Sequence, residues 1–224
     1  MDVYEAVASR RSIRAFLDQP VPSDTIRKVL AAAARAASGG NLQPWHIDVV
    51  AGEPLAQLKA IMRERLVQAP TGDGTMEFDI YPQELVSPYK ERRFQVGEDM
   101  YATLNVPRED KAGRLGWFRR NYQFFDAPMA LFCTVDRRMG APQWSDLGMY
   151  LQTLMLLLRA EGLDSCAQEC WARYPQTITK FLGTPSERML FTGMAIGYQD
   201  TSHPINQLVT QRAPLDEFAK FHGV

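Results

Sequence analysis

Cysteine and histidine are scarce in this sequence. It contains three of each among 224 residues, and no two cysteines form a Cys-x-x-Cys pair. An odd and unclustered set of cysteines supports neither a disulfide framework nor a structural zinc site, so we expect no metal. Because reduced thiols are typical of proteins inside the cell, we expect a cytoplasmic location.

Long apolar runs and an excess of one charge are also absent. No stretch of about 18 apolar residues occurs, so we expect no membrane-spanning helix, and the first residues do not resemble a signal peptide. Lys and Arg number 25 and Asp and Glu 26, for a net charge of −1. A near-neutral chain is not held mainly by nucleic-acid phosphates or an anionic membrane, so we expect neither partner.

Common catalytic and nucleotide-binding motifs are missing. The sequence has no Gly-x-Gly-x-x-Gly, Walker A or Gly-x-Ser-x-Gly motif. Cys166 and Cys170 leave a catalytic thiol open as an alternative, although cysteines near an apolar strand are more often buried and inert. With no obvious acid, base or nucleophile, the reactive atoms of an enzyme built on this chain would belong to a cofactor.

Apolar periodicity predicts a mixed α and β chain with one core. Helical spacing of apolar residues occurs in several segments, and short apolar runs predict strands between them. The predicted helices are 2–9, 23–37, 54–66, 144–161 and 177–182, and the predicted strands are 46–51, 129–135, 163–167 and 189–196. We therefore expect a single domain over 1–224.

The segment 70–120 differs from the rest of the chain. It is rich in proline, glycine and charge, with some helix expected around 108–120. A structureless stretch of this length is unusual inside a compact domain unless it forms a lid or a binding insertion. We therefore expect an insertion or lid over this segment.

Two short segments carry candidate binding groups. Arg10, Arg11, Ser12 and Arg14 suit a phosphate or carboxylate because guanidinium forks match such oxygens, although a solvated basic turn explains the pentapeptide as well. The segment 38–45 (Ser-Gly-Gly-Asn-Leu-Gln-Pro-Trp) combines glycines that permit close approach with neutral amide groups. A helix end followed by a turn is the alternative for this second segment.

Taken together, several segments resemble the FMN-dependent nitroreductase family along nearly the whole chain outside 70–120. The matching segments are 10–14 (Arg-Arg-Ser-Ile-Arg), 38–46 (Ser-Gly-Gly-Asn-Leu-Gln-Pro-Trp-His), 162–169 (Gly-Leu-Asp-Ser-Cys-Ala-Gln-Glu), 193–198 (Gly-Met-Ala-Ile-Gly-Tyr) and 212–214 (Arg-Ala-Pro). The resemblance implies an α+β fold, with a mainly antiparallel central sheet surrounded by helices, in an interlocked homodimer.

The resemblance also implies a binding site for FMN at the subunit interface. The phosphate and ribityl chain would be held by Arg10, Arg11, Ser12, Arg14 and Arg212. The flavin would be lined by Ser38, Gly39 and Asn41 from the partner subunit, and by Cys166, Ala167, Gln168 and Glu169. A backbone N–H near Gln168 would face the reactive N5, and either Arg120 or Asn121 would reach the pyrimidine edge.

The implied activity is reduction of a nitroaromatic compound, or a quinone, by NADH or NADPH in a ping-pong cycle. Alternatives are a specialised branch of the family, such as a reductive deiodinase, an enone reductase or a flavin-fragmenting oxygenase, and a flavin- or nucleic-acid-binding module without turnover. Substrate contacts within 70–120 would come from Tyr89, Arg92 and Arg93. The helix over 144–161 is apolar on all sides, which predicts that it lies at or near the subunit interface.

Overall fold

One antiparallel sheet forms the centre of the protein. A computed structural model describes residues 1–223, and its four strands lie in the order β1-β2-β4-β3 with every neighbouring pair antiparallel. The strands are β1 (His46–Ala51), β2 (Met129–Asp136), β3 (Asp164–Gln168) and β4 (Arg188–Gly197). The predicted α+β fold with a mainly antiparallel sheet is confirmed, and each predicted strand has a counterpart.

Helices surround this sheet. They are α1 (Val3–Ser9), α2 (Ser23–Ala33), α3 (Gly52–Gln68), α4 (Tyr89–Thr103), α5 (Lys111–Arg119), α6 (Ala141–Ala160), α7 (Pro175–Leu182) and α8 (Leu215–Phe218). Asp2 caps α1: its carboxylate accepts the N–H of Glu5 at 2.8 Å, and the Glu5 carboxylate accepts the N–H of Asp2 at 2.9 Å. Within residues 1–223, no helix is long and apolar enough to cross a bilayer.

The central strand β2 divides the core into two halves. Successive side chains of a strand point to opposite faces, and here both faces are covered, so the strand is buried from Met129 to Val135. Leu131 and Val135 pack on one face with α2 and α6, whereas Phe132 packs on the other with α3 and Trp171.

The end of α2 differs from the prediction. The helix was expected to continue to residue 37 but ends at Ala33. The following N–H groups of Arg35 and Ala36 donate to carbonyls three residues back, which tightens the chain out of the α-helix. A separate turn then forms over Gly39–Asn41, with Gly40 at a φ of 58°. Gly40 therefore serves this turn rather than the end of α2.

The segment 70–120 contains two helices rather than an unstructured loop. Helix α5 confirms the helix expected near 108–120, whereas α4 was not predicted. Helix α4 buries none of its residues, so its sequence carries no apolar stripe that would reveal it. That the segment is an insertion specific to a branch of the family stays a prediction.

Gly193 of β4 lies directly under the indole of Trp171, and an added Cβ would overlap that ring. Since Trp171 is fully buried, we expect Gly193→Ala to lower the free energy of unfolding by about 1–3 kcal/mol. Gly116→Ala on α5 is the control, because no atom lies within 4 Å of its added Cβ. Urea unfolding measures both, and equal stabilities of the two variants would contradict this packing.

Candidate functional site

A cleft of about 1290 Å³ lies between the end of α1, the end of β3, helix α4 and the C-terminal tail. It brings together most of the residues that were predicted to bind the cofactor, along with one predicted substrate residue. The predicted residues that line it are Arg10, Arg11, Ser12, Arg14, Arg93, Asn121, Ala167, Gln168, Glu169 and Arg212. Residues as far apart in the sequence as Arg10 and Arg212 therefore meet at one site.

An extended segment after α1 carries the first arginines of the cleft. Ser12 forms a parallel bridge with Ser165 of β3, and the N–H of Ile13 donates to the Ser165 carbonyl at 3.1 Å. Ile13 and Ala15 are buried. Because side chains alternate along an extended chain, Ser12 and Arg14 are left facing away from the core.

Asn206, which the sequence reasoning missed, fixes the other side of this segment. Its buried amide oxygen accepts the N–H of Arg14 at 2.9 Å. Its amide nitrogen donates to the carbonyls of Ala15 and Asp200, each at 2.8 Å. The C-terminal tail is thereby attached to the arginine segment. No local pattern around Asn206 signals a contact across so much of the chain.

Positive charge is concentrated in the part of the cleft formed by the segment after α1 and the C-terminal tail. Burial and, after it, the charge of Arg212 lower the pKa of Arg10, and both residues line the cleft. Among residues 1–223, no carboxylate forms an ion pair with Arg10, Arg11, Arg14 or Arg212. Several guanidinium groups in one cleft without an ion-pair partner suit a doubly charged anion such as a phosphate.

The end of β3 forms the floor of the cleft. Ala167 is exposed, whereas the side chain of Gln168 turns inwards and donates to the Asn121 carbonyl at 2.8 Å. Trp171 Nε1 donates to Gln168 Oε1 at 3.3 Å. Every polar end of Gln168 is thus occupied by protein, so it contributes rigidity and its backbone rather than a free amide.

Asn121 lies in the cleft and Arg120 does not. Arg120 forms an ion pair with Asp126 at 2.7 Å and stacks on Trp117. Asn121 lines the cleft and is held by Gln168. Of the two residues predicted to reach the pyrimidine edge of a flavin, Asn121 is therefore the one that lines the cleft, and its contact with a flavin stays a prediction.

The cysteines are free and buried, which does not favour a catalytic thiol. Burial raises the pKa of the Cys166 and Cys170 thiols, and that of Cys133 to about 12. A buried thiol with a raised pKa is a poor nucleophile. Cys170 lines the cleft, whereas Cys166 does not. Contact between Cys166 and a flavin stays a prediction that involves its backbone.

Other predicted residues lie outside the cleft. Ser38, Gly39 and Asn41 form the turn near α6, where the N–H of Gly39 donates to the buried carboxylate of Asp146 at 3.2 Å. This position agrees with the expectation that a second copy of the chain would use the turn, which stays untested. On α4, Tyr89 does not line the cleft, and Arg92 forms an ion pair with Glu217 of α8.

Comparison with known proteins identifies the family. The sequence model of the Nitroreductase family matches residues 7–198. The chain belongs to this family. Its members include a 4-nitrobenzoate reductase of Nocardioides sp. (strain LMS-CY), which is 37% identical over 99% of this chain and 90% of its own length. The predicted family is thus confirmed.

Two further nitroreductases are similar over nearly their whole length. A nitrobenzene nitroreductase of Ectopseudomonas oleovorans is 35% identical over 98% of this chain and 96% of its own. The crystal structure of an FMN- and NADPH-dependent nitroreductase NfnB, from Sphigopyxis sp. strain HMH, is 45% identical and superposes with a TM-score of 0.96, covering 100% of both chains. The fold of this chain is therefore that of the solved NfnB structure.

Asp73 anchors the start of the segment that covers the cleft. Only 2% of its side-chain surface is exposed, and it forms an ion pair with Arg65 at 2.7 Å. It also accepts the N–H of Thr177 at 2.7 Å and its hydroxyl at 2.8 Å. Burial raises the pKa of Asp73, but the hydrogen bonds from Arg65 and Thr177 outweigh it, and the net pKa is lowered.

Because its pKa is lower in the folded protein than in the unfolded chain, ionised Asp73 stabilises the fold at pH values above the unfolded pKa. This contribution is lost as the pH falls through the folded pKa. We expect Asp73→Asn to lower the free energy of unfolding at pH 7 by about 1–3 kcal/mol and to flatten its decline below about pH 4. Urea titrations at several pH values test this. The exposed Glu64→Gln should leave the profile unchanged, and an identical acid profile for Asp73→Asn would refute the assignment.

Proposed function

We propose that this chain is an FMN-dependent oxidoreductase that reduces nitroaromatic compounds with NAD(P)H. The observation that carries the proposal is the uncompensated cluster of Arg10, Arg11, Arg14 and Arg212 at one end of the cleft. Family membership and relatives that act on nitrobenzene and 4-nitrobenzoate support it. The similar FMN- and NADPH-dependent enzyme supports the choice of both cofactors.

The residues of the cleft fit FMN. The arginine cluster and Ser12 would hold the phosphate, since guanidinium groups donate several charge-assisted hydrogen bonds to such oxygens. The small and exposed Ala167 would let a planar ring approach β3. Asn121 Nδ2 donates to the Phe118 carbonyl at 2.8 Å and its Oδ1 accepts from Gln168 Nε2 at 3.2 Å, so the second Nδ2 hydrogen is the one left for the ring edge. When bound, FMN accepts a hydride from the nicotinamide and supplies electrons to the nitro group.

The residues of the chain bind the ligands, orient them and keep water out of the cleft. Gln168 holds Asn121 and the end of β3 rigid through buried hydrogen bonds, which fixes the N–H groups offered to a ligand. Glu169 is exposed in the same cleft, and partial desolvation by its neighbours raises the pKa of its carboxyl group. Val96 and Met100 of α4 add apolar side chains to the lining of the cleft, which disfavours water beside them. The electron donor NAD(P)H and the nitroaromatic electron acceptor would use this cleft in turn, as a ping-pong cycle requires.

We also propose that the working unit is a cytoplasmic homodimer. The turn of Ser38, Gly39 and Asn41 does not line its own chain's cleft, which supports its use by a second copy. Met149 of α6 is 41% exposed, so an apolar side chain is available on this helix for an interface. The free cysteines support a cytoplasmic location for the protein. Sedimentation showing a stable folded monomer at micromolar concentration would contradict the dimer.

The purified protein tests the activity directly. We expect bound FMN in its visible spectrum, oxidation of NADPH or NADH that depends on nitrobenzene, and an amine or hydroxylamine product. Colourless protein that remains inert with added FMN, NAD(P)H and nitroaromatics would overturn the proposal. Activity on an iodinated tyrosine or an enone alone would assign the chain to a specialised branch.

Loss of a phosphate-binding arginine should weaken FMN binding. Arg212→Gln removes one charge-assisted partner worth about 1.5–3 kcal/mol, so we expect the Kd of FMN to rise by about 10- to 150-fold. The effect should shrink at high salt, because part of it is electrostatic. Arg27→Gln, on an exposed position of α2, is the matched control. Fluorescence titration of the apoprotein measures both constants, and equal values would remove Arg212 from the site.

A further inference from the structure

The cleft contains more positive charge than a single phosphate requires. Besides the arginine cluster, it is lined by Arg93, Arg159 and Arg173. Arg159 is neutralised by the buried carboxylate of Asp164 at 2.6 Å. Within residues 1–223, Arg93 and Arg173 form no ion pair. These two residues are therefore the cations of the cleft that the proposed FMN site leaves unused.

Aromatic rings rather than carboxylates hold these two guanidinium groups. Arg93 of α4 lies over the ring of Tyr81 at 4.1 Å from its centroid, and Arg173 lies over Phe118 at 5.7 Å. A ring face orients a guanidinium without neutralising it and leaves its N–H groups at the edge free to donate. The Arg173 carbonyl also accepts the N–H of Asp73 at 2.8 Å, which fixes its backbone.

The acidic side chains in the cleft do not cancel this charge. Asp79 and Glu169 line the cleft, but neither lies within ion-pair distance of a guanidinium among residues 1–223. Arg93 and Arg173 come from elements other than those of the arginine cluster, namely α4 and the 3₁₀ turn Glu169–Arg173 after β3. Arg93 and Arg173 thus add two further guanidinium groups without an ion-pair partner to the lining of the cleft.

We propose that Arg93 and Arg173 form a second anion subsite, which binds a peripheral acidic group of the ligand that enters after FMN. The proposal rests on the proposed function. Two ligands of that reaction carry such a group: a carboxylated nitroaromatic, and NADPH with its 2′-phosphate. Guanidinium N–H groups recognise both in the same way, and the subsite would make the enzyme prefer the charged ligand to its neutral or non-phosphorylated analogue.

Two specificity ratios distinguish the two ligands that could supply the acidic group. The first is kcat/KM for 4-nitrobenzoate over nitrobenzene with saturating NADPH, and the second is kcat/KM for NADPH over NADH with saturating nitrobenzene. We expect both Arg93→Gln and Arg173→Gln to lower the same one of these two ratios by about tenfold or more. This is the effect of losing one charge-assisted hydrogen bond. A fall in the first assigns the subsite to the substrate carboxylate, and a fall in the second to the donor phosphate.

Arg108→Gln is the matched control. Arg108 also lies over an aromatic ring in the same segment, that of Phe94 at 5.1 Å, but it does not line the cleft. The turnover of nitrobenzene with NADH, and both specificity ratios, should stay within about twofold of the unsubstituted enzyme in Arg108→Gln, because Arg108 does not line the cleft. Unchanged ratios in Arg93→Gln and Arg173→Gln, or an equal fall in Arg108→Gln, would overturn the subsite.

Binding without turnover separates this proposal from the proposed function. Calorimetry of the purified protein with 4-nitrobenzoate, NADP⁺ and NAD⁺ needs no reaction. Tighter binding of an acidic ligand that is lost in Arg93→Gln and Arg173→Gln supports the subsite even if nitroaromatics are not reduced. Reduction of nitroaromatics with no such dependence supports the proposed function and rejects the subsite.

Discussion

The attachment of the extended segment after α1 to the edge of β3 is the constraint on which the site depends. The bridge between Ser12 and Ser165 and the burial of Ile13 set which side chains face the core. Asn206 holds the same segment from the tail side. Because the backbone is fixed on both sides, the arginines of this segment remain at the cleft despite their mutual repulsion. Burial of apolar side chains thus offsets the cost of gathering like charges.

The same logic explains how the cleft can be both rigid and highly charged. Its floor is fixed by buried hydrogen bonds among Gln168, Asn121 and Trp171, and none of these groups carries a charge. Several of its charged groups lie on segments outside β3, namely the segment after α1, helix α4 and the C-terminal tail. Arg159 shows the contrast, since its ion pair with Asp164 serves the protein itself. Charges left without a protein partner are the ones available to ligands.

Much of the fold could be predicted from sequence, because buried strands and amphipathic helices carry periodic apolar patterns. Helix α4 could not, since it buries no side chain and leaves no such pattern. Arginine clustering identified the phosphate end, but resemblance was needed to suggest FMN. Neither the arginine clustering nor the resemblance distinguished Arg92 from Arg93. Adjacent residues on a helix point about 100° apart, and only the fold shows that Arg92 faces Glu217 and that Arg93 faces the cleft. The Asn206 contact was invisible for another reason, since it joins distant parts of the chain.

The C-terminal tail connects two regions that would otherwise be independent. It contributes Arg212 to the charged end of the cleft and, through Glu217, an ion pair to Arg92 on the helix that covers the other end. Arg212 and Glu217 follow the Asn206 anchor by 6 and 11 positions. One short piece of chain therefore supplies a charge to the cleft and a contact to α4, so a truncation before Arg212 would remove both at once.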